Sequence, residues 1–130
     1  MVIVAEIARK TVVTAGPSET LRTASTKMAE NNVGSLIVVS ETGRLVGIIT
    51  ERDIVRALAA GADPDKARVE EYMTVNPVTA RSEESLVSVA HKMIHHGIRH
   101  MPVVDSTGRL IGVVSIRDVL RHIVGEHEFP

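Results

Sequence analysis

Apolar positions along this chain follow two periods, and the same succession of periods occurs twice. Leu21, Ala24, Met28 and Ala29 recur at the three-and-four spacing of one buried helical face. Two short apolar runs follow, Leu36 to Val39 and Leu45 to Ile49, joined by Ser40-Glu41-Thr42-Gly43-Arg44. A glycine inside so short a connection predicts a β-hairpin. Ile54, Val55 and Leu58 then predict a second helix with all three facing inward. Later in the chain, Leu86, Val89, Ala90, Met93 and Ile94 mark a helix, and Met101 to Val104 and Leu110 to Val114 mark a hairpin closed by Asp105-Ser106-Thr107-Gly108-Arg109. Val119, Leu120 and Ile123 mark the inward face of a last helix. Each set is preceded by a short helical or turn segment, Val4 to Ala8 or Val69 to Met73, and by an extended piece, Thr11-Val12-Val13-Thr14 or Asn76-Pro77-Val78-Thr79. The predicted order is β-α-β-β-α, twice, an α/β (α+β) architecture.

The doubling is literal. Shifting the sequence by the distance from Val13 to Val78 lays Val4 to Arg56 on Val69 to Arg121 without a gap, matching Thr14 with Thr79, Leu21 with Leu86, Met28 with Met93, Gly47 with Gly112 and Asp53 with Asp118. A repeat of this size predicts two small folds related by a pseudo-twofold axis, with ligand clefts where the halves meet. The expected boundaries are a first repeat over 1–58, a linker over 59–68 carrying Gly61, Asp63, Pro64 and Asp65, a second repeat over 69–124 and a tail over 125–130.

Composition narrows the function. At 130 residues the chain can bury roughly two-thirds of its unfolded surface, and 44% apolar residues support a real core. Tyr72 and Phe129 are the only aromatic residues, so stacking platforms for bases are absent. A formal charge of −1 with mixed signs leaves no electrostatic footprint for nucleic acid or an anionic membrane, so neither is an expected partner. The absence of cysteine, of a membrane-length apolar run and of a signal-peptide pattern sets cytoplasmic residence as the expectation.

The chemistry-bearing feature is the end of each hairpin: Ile49-Thr50-Glu51-Arg52-Asp53 and Val114-Ser115-Ile116-Arg117-Asp118. Thr or Ser followed three residues later by Asp is a capping box, which serves the helix start alone. The same helix start can also receive a phosphate on its N–H groups and dipole, and the carboxylate of Asp53 or Asp118 can take both hydroxyls of a ribose.

The doubled unit, the apolar-apolar-Thr/Ser-x-Arg-Asp ending of both copies and the run Gly97-Ile98-Arg99-His100-Met101-Pro102-Val103-Val104-Asp105 together resemble a tandem pair of CBS domains, a Bateman module. The resemblance spans nearly the whole chain. It implies binding of an adenosine-containing ligand (AMP, ADP, ATP or S-adenosylmethionine) in clefts between the repeats, no catalysis, no required cofactor and a disc-shaped homodimer. It implies that Asp53 and Asp118 hold ribose hydroxyls, that Thr50 and Ser115 touch phosphate or ribose, and that Thr11 and Asn76, opening the first strand of each copy, approach the adenine. Pro77, Val78, Met101, Pro102 and Arg117 complete the ligand-binding set.

The copies differ where charge matters. Arg99 and His100 match positions where nucleotide-sensing members of that family carry basic phosphate ligands, whereas the first copy has Gly34 and Ser35 there, and Ile37 in place of Pro102. One strong site, in the second copy, and one weak or empty site are expected. His91 and His95 could share a metal ion, but they flank the apolar stripe and bring no carboxylate, so no metal site is expected. Arg9 and Lys10 are expected to be solvated surface. The leading function is a regulatory module that senses adenine nucleotides and acts on a separate effector protein. The alternatives are a ligand-free dimerisation module and an S-adenosylmethionine binder. A metal-dependent hydrolase lacks a nucleophile or general-base pair in the sequence.

Overall fold

The computed structural model describes residues 1–125; the rest of the expected tail, with His127 and Phe129, lies outside the described residues. A 3-10 turn at Val4–Glu6 is followed by β1 (Thr14–Ala15), α1 (Leu21–Asn31), β2 (Ser35–Val39), β3 (Leu45–Thr50) and α2 (Glu51–Ala59). Then come α3 (Val69–Tyr72), β4 (Thr74–Val75), β5 (Ala80–Arg81), α4 (Leu86–His96), β6 (His100–Val104), β7 (Leu110–Ser115) and α5 (Ile116–Val124). Both hairpins form where the glycines predicted them, with Gly43 at φ 81 and Gly108 at φ 83. That backbone is open to glycine at little cost. No helix among the described residues is long and apolar enough to cross a membrane.

The compact units do not follow the repeat boundaries expected from the sequence. One unit holds Val12–Pro77; the other holds Met1–Thr11 together with the chain from Val78 onward. They are called the first and second unit below. In the first, β1 runs parallel to β2, and β2–β3 and β3–β4 are antiparallel. Its core gathers Leu21, Ala24 and Met28 of α1, Leu36 and Val38 of β2, Ile49, Ile54, Ala57 and, from beyond the expected linker, Val69. In the second, β5–β6–β7 repeats the parallel and antiparallel pairings, and Val4 and Ala8 join a core of Leu86, Val89, Met93, Met101, Val103, Val114 and Val119.

Two glycines explain why each leading segment can lie where it does. Arg9 and Val113 exchange backbone hydrogen bonds of 2.9 and 3.1 Å, and a Cβ on Gly112 would stand 2.6 Å from the Arg9 carbonyl oxygen. On the first unit Gly47 faces Val75 in register, and a Cβ there would stand 2.7 Å from the Thr74 oxygen. Only a residue without a side chain admits backbone at that distance. The expected linker is likewise no free tether: Leu21 N–H donates to the Ala67 carbonyl at 3.0 Å, Thr20 bridges Arg68, and Arg22 pairs with Asp65.

Each unit also repeats an internal clamp. Lys27 Nζ donates to the Thr14 carbonyl at 2.9 Å and pairs with Glu19, while Lys92 Nζ donates to the Thr79 carbonyl at 3.0 Å and pairs with Glu84. Burial pushes the Glu19 and Glu84 carboxyls up, but hydrogen bonds from the lysines and from backbone amides outweigh it and hold both below their usual range.

Three expectations about helix faces and strand starts are corrected. Ala29 and Ile94 lie outward, Ile94 at 77% exposure. Of the residues expected inward on the last helix of each copy, Ile54 and Val119 are buried, whereas Val55, Leu58, Leu120 and Ile123 are exposed. A nine-residue helix lying on a sheet covers only a narrow stripe, and Ala57 takes the inward place one turn after Ile54. Thr11 and Asn76 do not open strands: β1 begins at Thr14 and β5 at Ala80, and both residues stand in bends, Asn76 at φ 51.

Candidate functional site

In the second unit the site is built around the step from β7 into α5. Ser115 keeps extended backbone and caps the helix, its Oγ accepting from Asp118 N–H at 3.1 Å while Asp118 Oδ2 accepts from Ser115 N–H at 3.3 Å. This is the reciprocal capping box that the spacing predicted. The antiparallel register sets His100 directly opposite Ser115, and Ile116 N–H donates to the Arg99 carbonyl at 2.8 Å. Arg99 and His100 are therefore the residues paired with the start of α5, with Arg99 exposed and His100 half-buried. Two of the first three helix amides, those of Ile116 and Asp118, are already bonded, which leaves little of the N–H set at this helix start for an anion.

The equivalent step in the first unit has the same frame with less charge. Thr50 Oγ1 accepts from Asp53 N–H at 3.2 Å, and Asp53 Oδ2 accepts from Thr50 N–H at 2.8 Å and Thr50 Oγ1 at 3.0 Å. Ser35 stands opposite Thr50, and Glu51 N–H donates to the Gly34 carbonyl at 3.0 Å. Asn76 and Pro77 belong to this unit, following β4 on the far side of β3 from β2.

The sequence-named residues thus divide. Thr11, Val78, Arg99, His100, Met101, Pro102, Ser115, Arg117 and Asp118 fall in the second unit, and Thr50, Asp53, Asn76 and Pro77 in the first. Met101 is fully buried in the core and Pro102 is buried in the central strand, so neither offers its side chain freely to a ligand. Arg117 and Thr11 are exposed. A groove of about 430 Å³ on the α1–α2 side of the first unit borders that unit's helix start, lined by Met28, Asn32, Val33, Gly34, Glu51 and Ile54 among others; it includes none of the sequence-named site residues.

One functional side chain was missed. Arg9, expected to be solvated, reaches Asp118: Nε donates to Oδ2 at 3.3 Å and Nη2 to Oδ1 at 3.2 Å. The Asp118 side chain is 12% exposed and that of Arg9 60%. Burial raises the Asp118 carboxyl, but the hydrogen bonds from Arg9 and Ser115 outweigh it and hold the group below the ordinary carboxylate range. The available signal was the repeat itself, in which the position matching Arg9 is the uncharged Thr74. On α4, His95 and His96 are in edge-to-face contact, ring centroids 4.9 Å apart.

A twice-occurring β-α-β-β-α fold with a capping-box Asp at each second helix start defines a tandem-repeat α+β class. The CBS domain family matches residues 4–60 and again 69–125, and the chain belongs to it as a tandem CBS pair. A CBS domain protein from Pyrobaculum aerophilum complexed with AMP superposes with TM-score 0.84 at 33% identity, over 90% of this chain and 89% of that one. A CBS domain pair in complex with 5′-methylthioadenosine and S-adenosyl-L-methionine superposes with TM-score 0.84 at 36% identity, over 95% and 97%. An uncharacterized 17.7 kDa protein of Acidianus ambivalens is 40% identical over 95% of this chain and 74% of its own length. Other relatives are longer: the chain spans 62% of an uncharacterized Methanopyrus kandleri protein, 36% identical over 92% of this chain. It spans 24% of the L-aspartate semialdehyde sulfurtransferase of Methanocaldococcus jannaschii, 37% identical over 95% of this chain.

Proposed function

We propose that this CBS pair is a non-catalytic regulatory module that binds an adenine nucleotide (AMP, ADP or ATP) at the β7–α5 step of the second unit and passes its occupancy to a separate effector protein. In this reading Asp118 accepts from the ribose hydroxyls, Ser115 contacts ribose or phosphate, Arg99 and His100 face the phosphate, and Thr11 and Val78 approach the adenine. Thr50, Asp53, Asn76 and Pro77 form the weaker counterpart. The observation that carries the reading is that the segment paired with the capped helix start that holds Asp118 carries Arg99 and His100, where the first unit has Gly34 and Ser35. AMP and S-adenosylmethionine in the two related complexes support an adenosine ligand, and the basic pair favours the phosphorylated one.

Calorimetric titration with adenosine, AMP, ADP, ATP and S-adenosylmethionine tests this. AMP, ADP or ATP binds more tightly than adenosine if the basic pair meets phosphate, by a margin of about 1.5–3 kcal/mol per charged hydrogen bond. Equal affinity for adenosine and AMP contradicts it, and binding of S-adenosylmethionine alone moves the signal to a different ligand.

The same reading includes a homodimer formed through helices. Val55 and Leu58 on α2 of the first unit and Leu120 and Ile123 on α5 of the second are exposed apolar side chains, and Val55 borders the α1–α2 groove of its own unit. Light scattering at micromolar concentration gives twice the chain mass; the mass of a single chain contradicts it.

A further inference from the structure

Asp118 is engaged on both oxygens before any ligand arrives. Oδ1 accepts from Arg9 Nη2, and Oδ2 accepts from Arg9 Nε and Ser115 N–H. A carboxylate has about four acceptor positions, and with the side chain 12% exposed few of them face outward. A vicinal diol that binds this carboxylate therefore approaches the positions that the guanidinium holds. Arg9 itself is fixed at its backbone by the two bonds to Val113 and by the close passage over Gly112, while its side chain, 60% exposed, has little packing around it to oppose a change of rotamer. At Asp53 the matching position is Thr74, which carries no charge and cannot occupy a carboxylate in this way.

We propose that Arg9 sets ligand selectivity at this site: it covers Asp118 while the site is empty, yields the carboxylate to a ribose diol, and is compensated when the ligand brings an anionic group for it to pair with. A neutral nucleoside displaces Arg9 from an ion pair and offers it nothing in return. A phosphorylated nucleoside replaces one carboxylate partner with another anion, for which a guanidinium fork is well shaped. The selectivity so produced is a penalty on neutral ligands as much as an attraction for charged ones. This inference rests on the proposed role of Asp118 as the acceptor of the ribose hydroxyls.

The test is calorimetry with adenosine and with AMP on the wild-type chain, Arg9→Thr and Asp118→Asn. Arg9→Thr installs the side chain found at the matching position of the other unit and keeps the backbone bonds to Val113. Adenosine then binds several-fold more tightly than to wild type and AMP no more tightly, so that the AMP-to-adenosine preference falls about tenfold. Arg9→Lys, which keeps the charge but loses the two-point grip, gives an intermediate preference and supplies the same readout should circular dichroism show Arg9→Thr to be unfolded. If Asp118→Asn weakens both ligands while Arg9→Thr changes both affinities by one factor or neither, the site stands and the selectivity role of Arg9 is overturned. If the wild-type chain binds neither ligand, the site and the role of Arg9 fall together.

Discussion

The two units share a sheet pairing, a hairpin, a lysine clamp and a capping box, yet they treat the same aspartate differently. In the first unit Asp53 is bonded to the hydroxyl and amide of its own capping threonine, and the neighbouring strand brings Gly34 and Ser35. In the second, Asp118 is gripped by a guanidinium more than a hundred residues away in sequence, and the neighbouring strand brings Arg99 and His100. Capping is thus the shared structural duty of the motif, and charge around it is what differs. The frame is common to both copies, and the differences at Thr74/Arg9, Gly34/Arg99 and Ser35/His100 give cationic or titratable groups to the second unit alone.

The shared frame can be broken most severely at its glycines. Gly112→Val and Gly47→Val each force a branched side chain against backbone oxygen, and each should cost about 3 kcal/mol or more, read as a large fall in melting temperature. The adjoining Met73 side chain can yield at Gly47, but the Thr74 carbonyl cannot, so the two variants should suffer alike. A Gly112→Val chain that melts with wild type would mean that residues 1–11 do not lie across β7.

A smaller effect separates the units at their aspartates. Asp118→Asn should weaken nucleotide binding by roughly 1–3 kcal/mol, because an amide presents one acceptor and a mismatched donor to a diol. Stability should fall by only about 0.5–1 kcal/mol in Asp53→Asn, which retains a side-chain acceptor for the cap, and somewhat more in Asp118→Asn, which also loses the charge that pairs with Arg9. Parallel losses of stability with unchanged affinity in both would reduce the motif to a cap.

The clamp gives the mildest contrast, visible in acid. Glu19 and Glu84 have folded-state carboxyls held below their ordinary value of 4.5, so the unfolded chain binds protons first as pH falls. Their contribution is complete above that value and is lost as pH drops through the lower folded value. Glu84→Gln should lower stability by about 1–2 kcal/mol at neutral pH and flatten the acid limb of the stability curve, as followed by urea melts across pH 3–6. An acid limb as steep as that of wild type would assign the loss to other carboxylates.

Local features were readable from sequence because their partners are near in sequence. The hairpin glycines, the capping boxes at Thr50 and Ser115, and the inward Leu21, Met28, Leu86 and Met93 each depend on residues within a turn or two. The residence of Val4 with Met93 and of Val69 with Leu21 was not readable, because the repeat aligns each leading segment with its own copy while packing places it on the other. Gly47 and Gly112 were visible as an identical pair, but the backbone that requires them is distant in the chain. Arg9 was missed for the same reason, and nothing local distinguishes it from its neighbour Lys10, which donates only to the nearby Ala5 carbonyl. Val55, Leu58, Leu120 and Ile123 misled because apolar spacing in so short a helix fits two faces, and only the sheet selects one.

The charged helix start of the second unit, not its counterpart in the first, is the proposed nucleotide site. Calorimetric titration of AMP into wild type, Asp53→Asn and Asp118→Asn under one buffer tests it most directly. The account predicts one strong site per chain, nearly unchanged by Asp53→Asn and weakened about tenfold or more by Asp118→Asn. Equal weakening by both substitutions, or weakening by Asp53→Asn alone, would contradict it.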